Sequence, residues 1–163
     1  MRRLPALTAA LAVALLPACV GLERGDVYPD DRDTVFVAYF GNETFYRDVQ
    51  FELTDELVNE ILSSPGLHLS SKDEAEIHLT GRVLEVTQNV LAEDPQQDPL
   101  ATSSAVTVEI SVVDAKSGEV LKKRRLTEKG QSVPGRGEDL QFARREAFRY
   151  LARDIVRELE EEF

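Results

Sequence analysis

Cys19 is the residue with the clearest chemistry in this sequence, because it is the only cysteine in 163 residues. It follows Leu16-Pro17-Ala18, so an aliphatic residue lies three positions before it and a small residue immediately before it. This spacing is typical of a bacterial lipoprotein signal. A lone cysteine cannot form an internal disulfide, and a free thiol is a liability in an oxidising compartment. We therefore expect a lipid on Cys19. The alternative is an ordinary signal peptide that is cut nearby.

The segment before Cys19 has the composition of a secretory signal. Arg2 and Arg3 form a basic start, and an apolar run follows from Leu4 to Leu16. That run is too short to span a bilayer, which needs roughly 20 apolar residues. We expect residues 1–18 to be a signal peptide that is cleaved.

The mature chain then divides into a short tether and a domain. Residues 19–33 are expected to be the lipidated N-terminus and a polar tether, and residues 34–163 a single domain. Val20 follows the cysteine, where an acidic residue would retain the protein at the inner membrane. We therefore expect a lipid-anchored protein on the periplasmic face of the outer membrane.

A second set of residues with chemical potential is the basic run Lys122, Lys123, Arg124 and Arg125, in a chain of net charge −11. Lys and Arg bind phosphate and carboxylate groups. On a strand, Lys122 and Arg124 would lie on one face, and Lys123 and Arg125 on the other. The run therefore predicts either an anion-binding strand or an exposed edge strand that charge protects from pairing.

Other chemistry is not indicated. His68 and His78 lie in strand-like segments, and no spacing of histidine, cysteine and acidic residues fits a zinc site. No nucleophile elbow, phosphate loop or dinucleotide motif is present. The strongly acidic composition argues against nucleic-acid binding, which needs a basic surface. We expect neither a cofactor, nor a metal, nor an enzyme.

Hydrophobic periodicity predicts the elements that would position these residues. Alternating and β-branched runs predict strands, and apolar spacings of three and four predict helices. Gly81 and a change of phase after Val83 predict a bulge or bend. The predicted strands are Thr34–Phe40, a short edge strand over Leu67–Leu69, Glu76–Val90, Val106–Val112 and Val120–Gln131. The predicted helices are Asp48–Ser64 and Glu138–Glu162, and the predicted loops and turns are Glu93–Ala101, Lys116–Glu119 and Ser132–Gly137.

Leaving out the short edge strand, the order strand, helix, strand, strand, strand, helix predicts an α+β fold. The first helix allows the strands on either side of it to lie parallel, with a right-handed connection. Two helices with one apolar stripe each can cover only one face of a sheet. We therefore expect a two-layer sandwich, with a mixed four-stranded sheet and both helices on one face.

Three strings within this order resemble the lipopolysaccharide-assembly lipoprotein family LptE. Val35–Thr44 is similar to the family's apolar strand that enters an F-x-N-x-T turn. Phe51–Leu57 is similar to its L-T-D/E-x-L helix, and Glu74–Gly81 to its A-D-x-x-L-x-G strand entry, with Glu76 where aspartate is usual. The resemblance spans nearly the whole mature chain, and a lipidated cysteine precedes the domain, as in the family.

The resemblance implies a non-catalytic role in delivering lipopolysaccharide to the outer leaflet. The implied partners are the LptD outer-membrane β-barrel, in which the lipoprotein acts as a plug, lipopolysaccharide itself, and the membrane through the lipid. In this setting the cations of residues 122–125 are expected to contact anionic glycolipid or the barrel. The alternative function is a regulatory or structural lipoprotein of a cell-wall synthase or a secretion pore.

Overall fold

The computed structural model of the chain describes residues 33–161. Over these residues it contains six strands, two α-helices and one short 3-10 turn. The strands are β1 (Thr34–Val37), β2 (Gly41–Asn42), β3 (His68–Leu69), β4 (Ile77–Glu93), β5 (Pro99–Asp114) and β6 (Val120–Ser132). The helices are α1 (Val49–Ser63) and α2 (Leu140–Glu160), and the 3-10 turn is Pro134–Arg136.

All six strands belong to one mixed sheet in the order β3-β1-β4-β5-β6, with β2 beside β4. Strand β1 is parallel to β3 and β4, whereas β4, β5 and β6 form antiparallel pairs. The predicted α+β sandwich with a mixed sheet and two helices is therefore confirmed. The sheet has six strands rather than four, because two strands of two residues each extend it. Strand β3 is the short edge strand expected over Leu67–Leu69.

The sheet has one apolar face, and both helices pack on it and on each other. Alternate residues of β4 and β5 point to this face and are fully buried. They meet the apolar stripes of α1 and α2. The strand residues of this core are Ile77, Leu79, Val83, Val106, Val108, Ile110 and Val112; the helix residues with full burial and the largest side chains are Leu53, Leu57, Ile61, Phe148, Leu151, Ile155 and Leu159.

The bounds of the helices follow from local signals. Helix α1 begins after Asp48, as predicted, although that residue has a φ of 66° and makes no capping hydrogen bond with its side chain. It ends before the Ser64-Pro65-Gly66 segment. Helix α2 is capped by Asp139, whose carboxylate accepts a hydrogen bond of 2.7 Å from the Phe142 amide.

Several strand bounds differ from the prediction. Strand β1 ends at Val37 instead of Phe40, because the chain turns there and places the Phe40 ring in the core with 3% exposure. The predicted loop Glu93–Ala101 is shorter than expected, since β4 continues to Glu93 and β5 begins at Pro99. Only the tight turn at 94–98 is left between them.

The bulge that the change of phase predicted is present. The register of β4 against β5 shifts between Val83 and Glu85. Gly81 lies before the shift and has a separate role, because a Cβ there would be 2.5 Å from the Phe40 ring and 2.6 Å from the Glu109 carbonyl oxygen. Glycine at this position therefore gives Phe40 room to lie against the sheet.

Helix α2 approaches the end of β6 more closely than a side chain allows. A Cβ on Gly130 would lie 1.9 Å from the Ala143 carbonyl oxygen and 2.8 Å from the Ala147 nitrogen. Both contacts are with backbone, which cannot rotate away. The small residues Gly130, Ala143 and Ala147 therefore set the distance between the helix and the sheet.

We predict that Gly130→Ala lowers the free energy of unfolding by about 1–3 kcal/mol, the usual range for overpacking. The measurement is urea or thermal unfolding followed by circular dichroism. Gly135→Ala is the matched control, because a Cβ there meets no heavy atom within 4 Å. Equal stability of the two variants would show that α2 does not pack on Gly130.

Candidate functional site

The structure divides the basic run of β6 between the two faces of the sheet. Lys122 and Arg124 lie opposite Val112 and Ile110 of β5, which are core residues, and so they face the helices. Lys123 lies opposite Ser111, and Arg125 opposite Glu109, on the face away from the helices. We call this second face the outer face.

On the helix face, Glu158 of α2 binds both cations. Lys122 Nζ lies 2.7 Å from Glu158 Oε2 and donates to the Glu158 carbonyl oxygen at 3.2 Å. Arg124 Nε lies 3.6 Å from the same carboxylate oxygen. The hydrogen bond from Lys122, with the nearby charge of Arg124, lowers the pKa of Glu158 below its ordinary value of 4.5. These cations also complement the negative C-terminal end of the helix dipole. Through their contacts with Glu158, Lys122 and Arg124 join α2 to β6.

On the outer face, Glu109 binds Lys123 of the basic run and Arg82 of β4. Arg82 Nη2 lies 2.9 Å and Lys123 Nζ 3.1 Å from Glu109 Oε1, and Arg82 Nη1 binds Glu43 Oε1 at 2.7 Å. The hydrogen bond from Lys123, together with Arg82, lowers the pKa of Glu109, and the two carboxylates raise the pKa of Arg82. Arg125 is exposed and forms no ion pair with the residues described here. We call Arg82, Glu109, Lys123 and Arg125 the outer-face cluster.

Arg82 and Glu109 were not predicted from the sequence as site residues. Arg82 lies in the polar phase of its strand, as the alternation predicted, and Glu109 lies in the polar phase of the next strand. Their meeting depends on the register of β4 against β5, which places these two residues directly opposite each other. The alternation of apolar and polar residues predicted the face of the sheet on which each side chain lies. It did not predict that Arg82 and Glu109 touch.

A second feature lies at the edge of the sheet, between the end of β6 and α2. A shallow depression of about 410 Å³ lies beside the outer edge of β6 and the first turns of α2. The carboxylate of Glu146 accepts a hydrogen bond of 2.7 Å from the Gln131 amide, and Glu138 accepts one of 2.8 Å from the Val133 amide. Lys129 and Arg136 also line this depression. The two carboxylates are thus bound to backbone, and the two cations are exposed.

The histidines have ordinary environments. His78 Nε2 lies 2.8 Å from the Lys72 carbonyl oxygen, and its ring contacts Phe36 edge to face. His68 lies 4.0 Å from the Asp33 carboxylate. Within residues 33–161, no three histidine, cysteine or acidic side chains are close enough to hold a metal ion together.

The predicted lipidation site, Cys19, lies outside the residues that the structure describes. None of the helices between residues 33 and 161 has the length and apolarity needed to cross a membrane.

The fold is shared with solved structures of very different sequence. The hypothetical protein CT253 of Chlamydia trachomatis aligns with a TM-score of 0.57 at 15% identity, over 79% of this chain and 96% of that protein. Protein XCC0632 of Xanthomonas campestris aligns with a TM-score of 0.55 at 12% identity, over 77% and 83%. The PelC dodecamer of Paraburkholderia phytofirmans aligns with a TM-score of 0.53 at 18% identity, over 76% and 89%. At these identities the likeness concerns the fold alone.

The family is defined by the sequence. The model of the family LptE, described as lipopolysaccharide-assembly, matches residues 32–159, which is nearly the whole described domain. The chain therefore belongs to the LptE family. This confirms the resemblance of the three strings. The family's described role is assembly rather than catalysis. No curated protein matches the sequence.

We predict that Glu158→Gln destabilises the protein by about 1 kcal/mol at neutral pH, the upper value for a partly exposed ion pair. Because the folded pKa of Glu158 is lowered, its contribution is present above pH 4.5 and is lost as the pH falls through the folded value. The difference from the native protein should therefore vanish in acid. Urea unfolding at about pH 7 and about pH 3 measures this.

Glu161→Gln is the control for this variant. Glu161 is exposed at the C-terminal end of α2, where a negative charge is slightly unfavourable to the helix dipole. This variant should keep or slightly raise stability at neutral pH. A loss for Glu158→Gln that persists unchanged in acid would contradict the ion-pair explanation.

Proposed function

We propose that this protein is a non-catalytic outer-membrane lipoprotein that assists lipopolysaccharide assembly as the partner and plug of an LptD-type β-barrel. The observation that carries the proposal is the LptE family match over residues 32–159, which covers both helices almost completely and all six strands. In this proposal residues 1–18 are removed, and a lipid on Cys19 anchors the chain. Residues 19–33 then link the lipid to the domain, on the periplasmic face.

The distribution of charge supports contact with an anionic glycolipid at the outer face. The chain has a net charge of −11, yet the outer-face cluster holds three cations. Arg82 and Lys123 share Glu109, Arg82 also binds Glu43, and Arg125 lies opposite Glu109 on the next strand. Arg125 has no carboxylate partner within the described domain, and Lys123 is 57% exposed. Lys and Arg at such positions bind phosphate and carboxylate groups.

Within the basic run, the two faces differ in what they offer a ligand. Lys123 and Arg125 are the proposed contacts with lipopolysaccharide or the barrel. Lys122 contributes indirectly, because Glu158 binds it at 2.7 Å and it is only 11% exposed. Arg124 is 57% exposed and lies 3.6 Å from the same carboxylate, on the side of the helices. The division between the faces therefore allows the two roles to be tested separately.

We predict that the native lipoprotein, purified by affinity from gently solubilised outer membranes, recovers one large β-barrel protein in one-to-one ratio. Mass spectrometry and quantitative staining measure the identity and the ratio. A Cys19→Ser protein is the control for anchoring, and should leave the membrane fraction. Recovery of a cell-wall synthase, or of a ring of this chain alone, would instead support the regulatory or secretion-pore function and would contradict the export proposal.

We also predict that the double variant Lys123→Gln with Arg125→Gln binds purified lipopolysaccharide about thirtyfold more weakly, since two charge-assisted contacts of about 1 kcal/mol each are lost. The matched control is Arg145→Gln with Arg149→Gln, which removes the same charge from exposed positions of α2. Binding is measured by titration in detergent. Equal binding by both double variants would exclude the outer-face cations as the contact.

A further inference from the structure

Strand β6 is the longer of the two edge strands of this sheet. It ends the strand order and contains 13 residues, whereas the opposite edge, β3, contains two. Its pairing with β5 is regular from Lys122 to Ser132, without a bulge. An edge of this kind presents a row of unpaired backbone groups that can template another strand.

The hydrogen bonds at one end show which backbone groups face outward. The Gln131 and Val133 amides donate to the carboxylates of Glu146 and Glu138 rather than to β5. In a regular antiparallel pair, the groups of alternate residues point to opposite sides of the strand. The N–H and C=O groups of Lys123, Arg125 and Thr127 therefore also point away from β5.

These outward groups are open. Between residues 33 and 161, no side chain or backbone group forms a hydrogen bond with the amides of Lys123, Arg125 or Thr127. The protein thus closes one end of the edge with the carboxylates of Glu138 and Glu146. Among the described residues, none closes the middle of the strand in this way.

The side chains of this open stretch determine what can pair with it. Lys123 and Arg125 are cations on the outer face. Leu126, on the helix face, is only partly buried against the core. Pairing with the same strand of a second copy would place cations near cations, which is destabilising. A strand with acidic residues on the outer face would form favourable cross-strand pairs.

We propose that the Lys123–Thr127 edge of β6 is a docking site for an extended segment of a partner protein, in which acidic and apolar residues alternate. The segment adds to the sheet as a further strand. Its backbone pairs with the open groups of β6, its carboxylates lie beside Lys123 and Arg125, and its apolar side chains lie beside Leu126. This goes beyond the proposed function, since it specifies the edge and the chemistry of the segment whichever protein supplies it.

The test uses the folded mature chain and two synthetic peptides, one of alternating glutamate and valine and one of alternating lysine and valine. The acidic peptide should bind at least about tenfold more tightly, since two opposite-charge cross-strand pairs replace two like-charge pairs. Amide hydrogen exchange, resolved by residue, should slow at positions 123, 125 and 127 when the acidic peptide is bound.

Two variants separate the backbone from the charges. Thr127→Pro removes an outward amide and leaves the ladder to β5 intact, so it should weaken binding at least about tenfold. Thr127→Val is its control, because it keeps the amide and loses only the hydroxyl bonded to Thr107. The double variant Lys123→Glu with Arg125→Glu should reverse the preference between the peptides.

Three outcomes would overturn the proposal: equal binding of both peptides, equal binding by the proline and valine variants at position 127, or slowed exchange elsewhere than on β6. Because none of these measurements involves a barrel or lipopolysaccharide, their failure is distinct from a failure of the export function. If the edge proposal fails, the recovery of a barrel protein remains a separate result.

Discussion

The constraint on which the structure depends is that the domain has a single layer of helices for a sheet with three long strands. Helices α1 and α2 contribute one apolar stripe each, and together they cover one face. Apolar residues of β4 and β5 alternate with polar ones so that this face alone is dehydrated. Within residues 33–161, no further layer covers the other face or the edge at β6. The surfaces available for partners follow from this incomplete cover.

The four cations of β6 have different surroundings on the two faces of the sheet. Four consecutive cations on β6 would repel one another on a single surface. The pleat of the strand separates them, and a neighbouring element supplies one carboxylate on each face. Glu158 shares its charge between Lys122 and Arg124, which holds α2 to the sheet. Glu109 lies between Arg82 and Lys123 on the outer face. The same run therefore joins α2 to the sheet on one side and places Lys123 and the exposed Arg125 on the other.

A shared fold says little about which partner a protein binds. Solved structures from Chlamydia, Xanthomonas and Paraburkholderia share the fold at 12–18% identity, and one of them is a dodecamer. Such a scaffold is compatible with different assemblies, because its contacts are made by surface residues that the core does not determine. The family match, which rests on this chain's own residues from 32 to 159, is what connects the domain with lipopolysaccharide assembly.

The sequence by itself determined the class of fold and the separation of the faces, because these depend on local periodicity. The alternation along β5 and the stripe of α2 were sufficient to predict a two-layer α+β sandwich, and Gly118 marked a turn in which it indeed has a φ of 73°. Local signals gave a wrong end for β1, because the chain turns out of the strand before Phe40. An apolar residue at this position fits a longer strand and a buried residue after a turn equally well.

Tertiary structure alone decided which residues meet. The register of β4, β5 and β6 places Arg82, Glu109 and Arg125 in one row. The alternation within one strand does not by itself specify which residue of the neighbouring strand lies opposite. The approach of α2 to Gly130 and the pairing of Lys122 with Glu158 likewise join residues that are distant in sequence. Periodicity specifies the face of an element on which a residue lies. Its partners depend on how the elements pack, which is a property of the whole chain.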